Sequence, residues 1–299
     1  MPSSPYAYQG QAKRRVWGWT LPLLCVVFVI LGQVLGLVPL RIYPFIEKEN
    51  IEQYPQFLYF LGPVFAMIIA VVVLWVKYFE GLTLDSIGLS KPQAGKRFAW
   101  GYGLGLAMAS VIALGGWALG GYQLENSGLI NLNELLIIIS LLLAFIVQSS
   151  AEEIVFRGWL MGRLYERYGP TIAIWGNTAL FSLMHFNADN FHDHWALNLL
   201  FLSGLILFSV FLSLYALRTG NVWGACAWHA AWNAIYISGY GLATTGIALK
   251  VNPLFVDLMP AESAPVWLNG GSAGPEDSLL CSLVLAAACA VLLIRRRNQ

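Results

Sequence analysis

Long apolar runs alternate with short polar stretches along almost the whole chain. Runs over 16–38, 55–76, 98–119, 135–168, 196–217 and 221–240 match or exceed the roughly 20 residues that cross a bilayer as a helix, and those over 171–186 and 278–294 fall a little short of it. They predict an all-α, polytopic membrane protein of about eight transmembrane helices. Gly62-Pro63 is a candidate kink in the second run, and Gly169-Pro170 stops the fourth. The fourth run is the long one. At roughly 34 residues it spans about 50 Å against a ~30 Å hydrocarbon core, so its last turns, with Arg163, Glu166 and Arg167, are expected in water. The stretch 82–89 is expected along the membrane surface. Gly101, Gly103 and Gly105 of the third run suit close helix packing.

Composition agrees with this pattern. The chain has 299 residues, 58% hydrophobic and 11% charged, with net charge +1; a nucleic-acid partner is not indicated, and the lipid bilayer is. Cys25, Cys226, Cys281 and Cys289 all fall in apolar runs without a CxxC or zinc spacing, and read as small buried hydrophobes. Residues 1–15 read as a disordered cytoplasmic tail and 16–299 as one transmembrane domain, with its chemistry between about 134 and 240. Putting the N-terminus inside leaves 13 of the 16 loop and tail lysines and arginines on the cytoplasmic side. Both termini are then cytoplasmic. The long loop 241–277 lies outside.

Glu152, Glu153 and Arg157 sit inside the fourth run. Ionisable groups at bilayer depth cost several kcal/mol and generally pair or mark function. Successive helical residues point about 100° apart, so the two acids cannot share one task. Glu153 and Arg157 are i and i+4, acid first, which favours a pair. Glu152 is left as the free carboxylate. An ion pair that only fixes packing is the plain alternative.

Three further polar groups are expected at the same depth. The fourth and fifth helices turn near Tyr168-Gly169, which sets Glu152 opposite His185. The sixth and seventh turn near Thr219-Gly220, which carries His229 and Asn233, i and i+4 on one helix face, about 13 Å inward. With Glu152 as base, His185 can hold the same water, and His229 and Asn233 can donate to an oxyanion. No Ser–His–Asp set or Cys–His pair is present for a covalent route. His192-Asp193-His194, in an outer loop, is a weaker candidate metal pair.

Glu152-Glu153-x-x-x-Arg157, Phe181-x-x-x-His185 and His229-x-x-x-Asn233 resemble, in order, the three motifs of the CAAX protease and bacteriocin-processing (CPBP) family of intramembrane proteases, which includes the CAAX prenyl endopeptidase. The resemblance implies peptide-bond hydrolysis of a membrane-associated protein or peptide by glutamate-activated water, with Glu153 and Arg157 supporting the site and no cofactor. It also implies a multi-pass protein, placed here in a prokaryotic plasma membrane. Three alternatives remain open on the residues themselves. Glu152, His185 and His229 could ligate zinc; the same groups could relay protons in a transporter; or the chain could be a silent immunity scaffold.

Overall fold

A computed structural model describes residues 4–6, 12–42, 54–125, 130–185, 195–249 and 251–297. The chain is an all-α membrane protein. Its helices are α1 (Leu21–Ile42), α2 (Tyr54–Tyr59), α3 (Phe65–Leu74), α4 (Ala94–Ala118), α5 (Leu132–Glu153), α6 (Met161–Met184), α7 (Trp195–Thr219), α8 (Trp223–Tyr240), the short α9 (Val266–Asn269) and α10 (Leu279–Arg297). Wider π turns interrupt the run at Phe60–Val64 and Trp75–Glu80, and join α5 to α6 at Ile154–Leu160. The first of these holds the candidate kink, with Pro63 inside it.

Five helical stretches among the described residues are long and apolar enough to cross a membrane. The count differs from eight for physical reasons. Leu132–Met184 is one continuous helical stretch, yet it turns where expected, because Gly169 takes φ 80° and ψ 179°. α10 has a shorter apolar stretch. α8, with its Trp, His, Asn and Ser residues, needs no lipid-compatible surface: every residue from Gly224 to Tyr240 is buried by protein. Helices on the periphery show the opposite pattern, with Leu23, Leu31 and Val34 of α1 and Leu136 and Leu143 of α5 turned outward. That is the pattern of faces solvated by lipid.

α8 is therefore the central helix. α4 lies along it because Gly101 and Gly105, one turn apart, bring backbone to backbone. A Cβ at either would strike the carbonyl of Gly224 or Trp228. Gly103 has nothing near its Cβ position and takes no part. α5 covers another flank of α8, and α7 sits against both α6 and α10. The four cysteines are free and buried.

Three expectations change, and one feature is added. Arg163 does not project into water: it is buried, bonded to Glu80 Oε2 at 2.7 Å and to the Ser86 carbonyl at 3.2 Å. The reason is that Glu80 closes the π turn after α3 directly beside it, so a paired charge replaces a solvated one. The stretch 82–89 is not a surface strip, since Ser86 and Ile87 are fully buried and the Gly88 carbonyl accepts from Val222 N–H. Disorder does not extend through residues 1–15, because Tyr6 is buried in the core and Lys13 N–H donates to the Glu80 carbonyl. Finally, the loops after α4 and α8 are stitched together by an antiparallel ribbon, β1 (Tyr122–Leu124) with β2 (Leu258–Pro260). His192 and His194 lie outside the described residues.

Candidate active site

The end of α5 carries both acids. Glu153 is fully buried, and its Oε1 accepts from Arg157 Nη1 at 3.0 Å, the expected i, i+4 pair. Arg157 also stands over the ring of Phe181, with its guanidinium carbon 4.3 Å from the centroid. A desolvated cation on an aromatic face gains about 2 kcal/mol. Glu153 Oε1 accepts a second bond, from His229 Nδ1 at 2.9 Å. One carboxylate oxygen thus ties α5, the π turn and α8 together.

Glu152 points the other way. Its Oε1 accepts from Gln148 Nε2 at 2.7 Å. Its Oε2 is buried without a hydrogen-bond donor among the described residues. Two imidazole nitrogens face that oxygen: His185 Nε2 at 3.5 Å and His229 Nε2 at 3.9 Å.

The tautomers follow from the partners. His185 Nδ1 lies 2.9 Å from the Phe181 carbonyl, which can only accept, so Nδ1 carries the proton. His229 Nδ1 meets an ion-paired carboxylate and also donates. In their neutral forms both histidines therefore direct a bare Nε2 at Glu152 Oε2. Three groups able to take or hold a proton converge on one point, each from a different helix.

Packing holds the rings in place. Phe181 stacks on His185 at 4.1 Å between centroids, and Phe208 of α7 meets His229 edge-on at 4.9 Å. Asn233 sits one turn after His229, but its Nδ2 donates to Gln148 Oε1 at 3.2 Å, linking it to Glu152 through Gln148. Sequence reasoning missed Gln148 and Phe208. Gln148 had one usable signal, its i, i+4 spacing to Glu152. Phe208 had none, since one phenylalanine in an apolar run looks like any other.

The cluster lines a cavity of about 230 Å³. Its other walls are aromatic and apolar, among them Phe57, Phe145 and Trp232. Thr244, Thr245, Glu276 and Asp277 of the long loop also line it. Glu276 fastens this loop to α8, accepting from Trp232 Nε1 at 2.8 Å and from Thr244 Oγ1 at 3.2 Å. An apolar chamber with a few convergent polar groups is the usual form of a ligand or active site.

Residues 134–235 match the family model described as Type II CAAX prenyl endopeptidase Rce1-like. The chain carries an Rce1-like domain. It runs from the first turn of α5 to the middle of α8, so it contains every residue of the cluster. The family is one of proteases, and its presence together with the long apolar helices makes the chain an integral membrane protein. The Rce1-like match accords with the likeness to CAAX proteases carried by the three motifs. No curated protein matches the chain.

Proposed function

We propose that the chain is an intramembrane endopeptidase that hydrolyses a peptide bond of a membrane-associated protein or peptide with water activated by Glu152. The observation that carries this is the convergence of His185 Nε2 and His229 Nε2 on Glu152 Oε2, 3.5 and 3.9 Å away, in a largely apolar cavity. Water between these groups would donate one proton to Glu152 and be oriented by His185. Its oxygen attacks the scissile carbonyl, and the carbonyl oxygen becomes an oxyanion. The second N–H of Asn233 is an available donor, and His229 is one when its Nε2 carries a proton. Collapse breaks the C–N bond, and the proton held by Glu152 passes to the leaving amine. The aromatic walls suit an apolar segment, which supports a substrate delivered from the bilayer.

Zinc held by Glu152, His185 and His229 is the second reading, although among the described residues no group of three or more His, Cys, Asp or Glu is arranged to hold a metal ion. The experiment that separates the two incubates purified protein with a peptide library and measures metal on the same sample. Cleavage by chelated protein with well under one zinc per chain supports glutamate chemistry. Stoichiometric zinc, with activity lost on chelation and restored by zinc, overturns it. No cleavage at all would move weight to the transporter or scaffold readings.

A further inference from the structure

The π turn that follows the acids has an unusual backbone debt, and a distant residue fills it. In an α-helix the Arg157 carbonyl would accept from the N–H of Met161. Here that N–H goes instead to Phe156 O, the wider π spacing. A buried carbonyl without a donor costs about 1–3 kcal/mol. The donor it receives is the hydroxyl of Tyr6, from the N-terminal segment.

Tyr6 is held firmly enough to do this. It is 1% exposed. Its ring lies against Gly88 on one side and Gly162 on the other, where a Cβ would come within 3.0 and 3.3 Å of it. Lys13 N–H donates to the Glu80 carbonyl at 2.8 Å. Glu80 in turn accepts from Trp159 Nε1 at 3.0 Å, on the π turn itself. The N-terminal segment and the end of the second apolar run thus grip the same turn.

A π turn sets register. Relaxing it to α-helix would rotate Glu153 and Arg157 relative to Trp159 and Arg163, and so pull Glu153 from His229 Nδ1 or Arg163 from Glu80. Such wide turns commonly occur at functional sites. We infer that Tyr6 is a positioning residue: its hydroxyl holds the Ile154–Leu160 turn open to π geometry, and through it fixes the acids against His185 and His229. The inference rests on the hydrolytic reading above for its kinetic consequence, and on the backbone alone for its structural one.

The test is Tyr6→Phe in the full chain, which keeps the ring and removes only the hydroxyl. Two quantities are read: steady-state peptide cleavage, and amide hydrogen exchange of the segment 154–162 in the folded protein. The expected result is kcat lower by about tenfold with KM within about twofold, as a lost hydrogen bond of this kind allows, and faster exchange confined to that segment. Unchanged kcat would overturn it, even with a lower melting temperature, because a mere clamp would do the same. A change in KM alone would also overturn it, since the segment would then be meeting substrate. If the wild-type chain cleaves no peptide, the hydrolytic reading fails separately, and exchange alone decides: unaltered exchange at 154–162 removes the role of Tyr6.

Discussion

His229 donates from Nδ1 to Glu153 Oε1, the same oxygen that accepts the Arg157 guanidinium. The acid that carries no proton in the proposed reaction therefore orients one of the groups that act in it. Removing its cation should be felt in folding first. Arg157→Ala leaves Glu153 as a buried charge with only His229 beside it, a loss of about 3–5 kcal/mol. The expected outcome is a lower yield of folded protein and a lower melting temperature, read by size-exclusion profile and thermal denaturation. A variant with wild-type yield and melting temperature would show the pair to be dispensable.

Asn233→Ala should lower kcat by about 10²-fold with little change in KM, as for a contact made mainly in the transition state. Gln148→Leu should act differently, because Gln148 donates to Glu152 itself and accepts from Asn233. It is expected to lower kcat as well, by loosening both partners. Steady-state kinetics of the two single variants and the double variant measure this. Fully additive losses would contradict the coupling through Gln148.

How much could be read beforehand depended on periodicity. The turn at Gly169, the pairing of Glu153 with Arg157 and the meeting of Glu152 with His185 all follow from counting residues along helices, and the geometry agrees. What escaped is what periodicity cannot carry. Arg163 looked like an end-of-helix charge because its partner, Glu80, is on another helix. The buried run at Ser86-Ile87 has the composition of an interfacial strip, and only Val222 and Gly158 packed against it distinguish the two. Tyr6 lies in a stretch of disorder-prone composition, and one hydrogen bond to a π turn leaves no mark in the sequence. The β ribbon pairs segments far apart in the chain, with three residues a side.

Topology is the next test. The N-terminal segment, the Glu80–Gly88 connection and the Thr219–Val222 turn gather at one end of the molecule: Lys13 bonds Glu80, and Val222 bonds Gly88. Lys13, Arg14 and Arg15 in the N-terminal segment and Arg218 just before the turn are the basis for proposing that this end faces the cytoplasm. Reporter fusions after Gln299 and within 245–275 should therefore report opposite sides, the first cytoplasmic. The same side for both would contradict this arrangement.

The loop that lines the cavity should respond to pH. Burial, with the neighbouring Glu276 carboxylate, pushes the Asp277 carboxyl from its ordinary 3.8 up to about 7. Its folded-state pKa is raised, so the folded state holds the proton more tightly than the unfolded state. This contribution to stability is full below about 4 and is lost as pH rises through about 7. Asp277→Asn should remove that dependence. Melting temperatures of the two proteins between pH 4 and 8 should diverge towards high pH, with the variant the more stable there. Parallel curves would assign the loop's stability to other groups.

The most direct measurement is cleavage by Glu152→Gln. Glutamine keeps the shape of the side chain and can still accept from Gln148, but it cannot take a proton from water. The expected result is a protein with wild-type yield and melting temperature and no detectable turnover of a peptide that the unaltered chain cleaves. A folded Glu152→Gln protein that still cleaves that peptide at a comparable rate would contradict Glu152 as the base.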